Sequence, residues 1–182
     1  MRTMILLGCL AALLAPSLPA AAETVFDQPL LLTAAGGSVD INLAGVLLKR
    51  QGVAYTANAT AAPGDLEGVK TLVVVPGYSS KGLGAAGVSR EQEMERITGL
   101  IKTAKERGIP VLTLHLGGNA RRGAQSDDFN RIAAEAADLL IVVAQGDEDG
   151  FFTAISKEAG IPMRTVDSMS GAAEPLGEVI TK

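Results

Sequence analysis

The sequence predicts a three-layer α/β/α sandwich around a six-stranded, mostly parallel sheet, and three observations carry that expectation. From Leu30 onward, strand-like and helix-like segments alternate, the signature of βα units joined by right-handed crossovers. The runs beginning at Leu30, Leu72, Val111 and Leu139 are apolar throughout, as strands covered on both faces must be. QGVA, RGIP and AGIP, at Gln51, Arg107 and Ala159, each place a glycine between the end of a helix and a new strand.

Arg2 precedes an apolar run from Met4 to Ala15, then Pro16, Pro19 and Ala20, Ala21, Ala22 before Glu23. A charged head, a short apolar run and an A-x-A end describe a secretory signal peptide over residues 1–22, cleaved after Ala22. The run is too short to span a bilayer, so no stable membrane insertion is expected after processing. Cys9 stands ahead of most of the apolar run, the reverse of a lipoprotein acylation box. Cleavage removes this single cysteine, leaving one secreted or periplasmic domain, residues 23–182, without disulfide or thiol chemistry.

Leu30 to Thr33 reads as the first strand. A helix from Val39 to Gln51 follows, with Ile41, Ala44, Leu47 and Leu48 on one face and Ser38 as N-cap. Lys49 and Arg50 suit its last turn, and Gly52 its left-handed end. Val53 to Asn58 is a more polar strand, and Ala61 to Gly68 holds a turn of helix. Thr71 to Val75 is a buried strand that delivers a loop, Gly77 to Gly87, to the binding end of the sheet. Ser89 and Gln92 have capping-box spacing, and Met94, Ile97, Leu100, Ile101 and Ala104 form the stripe of a charged helix ending at Arg107. Ile109 to His115 is a strand. Ser126 to Ala137 is a helix with Phe129, Ile132, Ala133 and Ala136 on one side. Leu139 to Ala144 is an apolar strand, Gly150 to Ala159 a helix, Ile161 to Val166 a polar strand, and a short C-terminal helix breaks near Pro175.

The polar strands at Val53 and Ile161 belong at the sheet edges. A flavodoxin-like order, 2-1-3-4-5 with strand 6 outside strand 5, puts them there. The alternative Rossmann order 3-2-1-4-5-6 would put the apolar Thr71–Val75 strand at an edge. In the first order the loops Ala34–Ser38 and Gly77–Gly87 face one another at the switch point, where open α/β sheets bind ligands.

The formal net charge is -4, and -5 once Arg2 is removed, which excludes nucleic acid and anionic membrane as main partners. Hydrophobic residues make up 47% of the chain, yet there are 4 Phe, 2 Tyr and no Trp. Core and ligand contacts are therefore aliphatic, and stacking on sugars or bases is not the binding principle.

The segments PLLLTAAGGS, SSKGLGAAG, HLGGNARRG with SDDF after it, and DEDGFF together resemble a family of uncharacterised secreted bacterial proteins classed as a domain of unknown function. The resemblance spans nearly all of the chain after the leader. It implies a secreted α/β domain and supplies no activity.

Motifs of established chemistry fail on inspection. Gly82, Gly84 and Gly87 spell G-x-G-x-x-G, but the match lies several residues beyond its strand, and the next strand ends in His115 rather than an acid. A P-loop needs Lys-Ser/Thr after its second glycine, and the nucleophile elbow needs a glycine where Lys81 stands. Thr33, Gly36 and Ser38 faintly follow a flavodoxin phosphate loop, but Asp40 would repel the phosphate. Asp147, Asp149 and Gly150 look like an EF-hand centre without its bidentate glutamate, so capping of the Phe151 helix is the plainer reading. Asp127 and Asp128 have the same plain reading, and Lys157 is solvated surface. Neither cofactor nor metal is expected.

A constellation remains. Lys81, Arg121 and Arg122, with Ser38, Ser79, Ser80, Asn119 and the glycines Gly36, Gly37, Gly82, Gly84, Gly117 and Gly118, all fall in loops after interior strands. Glycines let backbone N–H groups approach a ligand, and basic side chains favour a negative one. Two readings stand: these groups hold a small anionic molecule, or Arg121 and Arg122 pair with Asp127, Asp128 or Glu148 and the glycines only make turns. The expected function is a small-molecule binding module, with a hydrolase or transferase using His115 as acid or base beside Lys81 as the alternative. A protein partner is not specified by the sequence.

Overall fold

The computed structural model describes residues 24–181; the expected leader, its cleavage point after Ala22 and Cys9 lie outside the described residues. Strands β1 (Leu30–Ala35), β2 (Tyr55–Ala57), β3 (Thr71–Pro76), β4 (Val111–His115), β5 (Leu139–Val143) and β6 (Met163–Val166) form one sheet in the order β2-β1-β3-β4-β5-β6. Every neighbouring pair is parallel. The flavodoxin-like order is therefore the one adopted, with the polar strands outermost and β1 paired along its length with β3, Leu30 opposite Thr71 and Ala35 opposite Pro76.

Helices α1 (Ile41–Arg50), α2 (Ser80–Ala86), α3 (Arg90–Glu106), α4 (Asp127–Glu135), α5 (Phe151–Ala159) and α6 (Ala173–Val179) complete the described chain with short 3-10 turns. Alternation of side chains along each strand divides the core. Leu30, Leu32, Val73 and Leu112 pack under α1 and α6. Leu31, Leu72 and Val74 face Ile97, Leu100 and Phe129 of α3 and α4, and Leu140 and Val142 meet Phe152 of α5. The three helix-to-strand glycines, Gly52, Gly108 and Gly160, have φ of 72°, 68° and 66°, the left-handed ends that the repeated junction implies. Among the described residues, no helix is long and apolar enough to cross a membrane.

Three local expectations are corrected. The first helix begins at Ile41 with Asp40 at the N-cap position and no side-chain cap bond; Ser38 is buried two residues earlier, its Oγ without a hydrogen-bond partner. The segment read as a loop from Gly77 to Gly87 contains α2. Ser79 caps it by accepting the Gly82 N–H at 3.1 Å, and Gly87 ends it left-handed. The C-terminal helix runs through Pro175 unbroken, because a proline in the first helical turn forfeits no intrahelical bond.

Candidate functional site

Glycine brings the β1 and β3 loops into direct contact at the carboxyl end of the sheet. Gly77 N–H donates to Ala35 O at 2.9 Å and Ser79 N–H to Gly36 O at 2.8 Å. A Cβ on Gly82 would stand 2.0 Å from Gly37 O, so only glycine lets α2 lie this close. The two loops face one another as the strand order implies, but where they meet the gap is filled with backbone.

The space that remains lies on the β2 side. A cavity of about 190 Å³, open to solvent on one side, is lined by Gly37, Ser38 and Ile41 from the first loop and α1, Ala59 and Thr60 after β2, and Leu83 and Ala86 of α2, with Glu93 of α3 also on its wall. Three expected ligand-binding residues, Gly37, Ser38 and Gly82, line it. Ser79 positions it by capping α2, and Ser79→Ala should destabilise the domain by about 1 kcal/mol, measured by urea unfolding.

Beneath the cavity lies an ion pair that sequence reasoning missed. Glu93 is 2% exposed and accepts from Arg96 Nε at 2.7 Å, from Arg96 Nη2 at 2.7 Å and from the Gly36 N–H at 3.0 Å. Arg96 also donates to Ala34 O and Ala61 O, each at 2.7 Å. The Gly36 N–H, expected to meet an external anion, meets the protein's own carboxylate instead. A signal was present: Glu93 precedes Ile97 and Leu100 by four and seven residues, so it falls on the buried stripe of α3.

The basic groups after β4 are also internally paired. Arg121 Nε donates to Asp40 Oδ2 at 3.1 Å, and its side chain lies over Gly77 and Gly117, where a Cβ would come within 2.7 Å and 2.0 Å of it. Arg122 forms a fork with Asp149 and a second contact with Asp127, and stacks 4.3 Å from the Phe151 ring centre. Burial would raise the Asp127 carboxyl, but the hydrogen bonds from Arg122 and Asn130 bring it below its usual range. The bonds from Arg122 pull Asp149 to about 2. Of the two readings left open by the sequence, ion pairing describes both arginines, with Asp40 and Asp149 as partners the sequence did not single out. Asn119 bonds to Glu148, and Gly118 packs against Gln145. Asp147 caps α5 by accepting from the Phe152 and Thr153 N–H groups.

His115 is 0% exposed. Its Nε2 lies 3.3 Å from Arg121 O, which makes Nε2 the protonated nitrogen; Nδ1 is buried without a partner. The Phe152 ring centre is 4.6 Å away. Burial holds its pKa down, to about 4, against the raising effect of the Arg121 carbonyl. No hydrogen bond or ion pair connects it to Lys81, which sits exposed on α2 with Ser80 and Gly84. Gly36, His115, Gly117, Gly118, Asn119, Arg121 and Arg122 therefore form a packed, ion-paired shoulder beside the cavity rather than its lining.

Comparison with curated protein sequences gives no match. Among solved structures, the chain is similar to AlinE4, an esterase of the SGNH-hydrolase family, at 13% identity and TM-score 0.32 over 90% of this chain and 86% of that one. It is similar to a GDSL-like lipase from Bacteroides thetaiotaomicron at 11% identity and TM-score 0.36, covering 82% and 72%. It is also similar to a Schiff-base-forming fructose-1,6-bisphosphate aldolase at 11% identity and TM-score 0.35, covering 81% and 80%. Likeness this slight, spread over unrelated chemistries, carries neither activity nor site to this chain. Residues 27–180 match the family described as "Domain of unknown function (DUF6305)", and the chain belongs to that family.

Proposed function

We propose that this is an exported small-molecule binding module whose ligand sits between the Gly37–Ser38 loop, α2 and the chain after β2. The leader-like segment of residues 1–22 supports export. The observation that carries the binding reading is the cavity itself: about 190 Å³, lined by residues of the two loops at the switch point, Gly37, Ser38 and Gly82 among them. Drug-sized ligands occupy roughly 300 to 1,000 Å³, so the occupant is a smaller molecule. Binding is favoured over catalysis because His115 is fully buried and a general base must come within hydrogen-bond reach of its substrate. The pairing of Arg121 with Asp40 and of Arg122 with Asp127 and Asp149 leaves the expected anion preference without its principal cations.

Ala86 is exposed on α2 and lines the cavity, which makes Ala86→Trp the direct test. Surface substitutions of this kind change stability by about 0.5 kcal/mol or less. The tryptophan is expected to fill the cavity and abolish the backbone amide shifts that short-chain organic probes induce at Gly37, Gly82 and Leu83. Probe shifts that persist unchanged in a folded Ala86→Trp protein would place binding elsewhere.

A further inference from the structure

We propose that the edge strand β2 takes up an extended peptide as a seventh strand of the sheet, with small apolar side chains toward α1 and basic side chains toward Asp65 and Glu67. This peptide and the occupant of the cavity are separate ligands. Leu30 N–H donates to Ala54 O, and Asn58 N–H donates to Leu32 O. A strand bonds to one neighbour through alternate residues, so Tyr55 and Ala57, which stand opposite Leu30 and Leu32, turn their N–H and C=O groups away from β1. Those four groups have no hydrogen-bond partner among the described residues. Native proteins blunt such an edge with charge, proline or a bulge. At the other edge of the sheet β6 carries Arg164. In β2 the residues are Tyr55, Thr56 and Ala57, all uncharged, with Thr56 and Ala57 exposed. An edge of this kind is a template for strand addition, and its shortness leaves selectivity to the side chains.

Side chains of an added strand alternate between the two faces of the sheet, and a depression lies beside β2 on each face. On the α1 face, Ile41, Gly45, Tyr55 and Ala57 help to line one that has no charged side chain on its wall. On the opposite face, Thr56, Asp65, Glu67 and Val69 help to line another, whose wall has two carboxylates and neither lysine nor arginine. Asp65 is held by the Ala62 N–H and the Asn58 side chain, while Glu67 is exposed and unpaired among the described residues. Charge decides the occupant. Antiparallel pairing of β2 with β2 of a second copy keeps like faces on one side, so these carboxylates would approach their own images, and like-charge juxtaposition is costly. A strand with lysine or arginine on that face meets opposite charge instead.

The test titrates the purified protein with capped octapeptides that alternate valine with lysine or valine with glutamate, read from the Tyr55 and Ala57 amide shifts. The lysine peptide is expected to move both, and the glutamate peptide to bind at least about fivefold more weakly. Ala57→Pro removes one outward N–H and leaves the bonds to β1 intact, a place where an edge strand accepts proline. It should weaken the lysine peptide at least about tenfold, read at Tyr55. Probe shifts at Gly37, Gly82 and Leu83 should be unchanged in that variant, because Ala57 is not on the cavity wall. Glu67→Lys, an exposed change, should weaken the lysine peptide by about two- to fivefold. Pairing can also be read without a variant: methylating the backbone nitrogens of the valines in one peptide and of the lysines in another should leave only one able to bind, since alternate N–H groups face β2. Equal affinity for the lysine and glutamate peptides, or no response to Glu67→Lys, overturns the basic partner. Undiminished binding to a folded Ala57→Pro protein, or by both methylated peptides, overturns pairing at the edge, as does failure of the lysine peptide to bind. Concentration-dependent Tyr55 shifts in the protein alone, abolished by Ala57→Pro, would overturn the peptide in favour of a second copy.

Discussion

Glu93→Ala is expected to lower the unfolding free energy by about 3 to 5 kcal/mol, the magnitude for removing one member of a buried ion pair. The loss has two sources. The Arg96 guanidinium, with a side chain 14% exposed, would be left without a counter-charge, and the Gly36 N–H would lose its acceptor. Removing both charges together avoids the first penalty, so Glu93→Leu with Arg96→Met should cost less than the sum of the single changes. Urea unfolding of the four proteins closes the cycle, and calorimetry should show Glu93→Ala melting roughly 6 to 20 °C lower. A loss below about 1 kcal/mol would mean that the pair does not hold the β1 loop.

Stability should also fall steeply in mild acid because of His115. Its folded pKa, about 4, lies below the ordinary value of 6.5, so between those limits the unfolded chain binds the proton and the folded one does not. The unfolded state then carries more protons, and stability decreases as pH falls from about 6.5 toward 4. The gap is worth about 3 kcal/mol when fully expressed. His115→Gln removes the titrating group, so unfolding measured at pH 7, 5.5 and 4 should show a shallower decline in that variant. Parallel declines in the two proteins would show that His115 is not buried neutral. The same burial that makes the histidine a poor catalyst makes it an acid-sensitive part of the β4 end.

Much of the fold was legible because its signals are local or additive. The largely apolar runs of β1, β3, β4 and β5 and the polarity of β2 and β6 pointed to the strand order adopted, since burial on both faces disfavours polar side chains and admits one such as Thr113 where it finds an internal hydrogen bond. The Ser89–Gln92 box and the three junction glycines were equally plain. The site was legible only in part. Position in the strand order brought Gly37, Ser38 and Gly82 together, but ion-pair partners are long-range facts. Arg121 finds Asp40 across 81 residues, whereas Arg122 pairs both with the expected Asp127 and with Asp149, 27 residues away. The Gly77–Gly87 segment was misread because its glycines signal a loop. Their role is to let a helix settle onto Gly37, a tertiary close approach that overrides poor helix propensity.

The wall formed by α2 is the side of the cavity that can move while the sheet stays untouched. Seven residues long, this helix has Leu83 as its one buried residue. Lifting it away exposes a single leucine side chain, about 1.5 to 3 kcal/mol, and releases the Ser79 cap, about 1 kcal/mol more. That sum is a fraction of the 5 to 15 kcal/mol typical of global unfolding, so excursions of α2 belong to the rapid local openings of the native state. The cavity already reaches solvent beside the exposed Ala86, so such excursions widen it while the parallel strands stay paired.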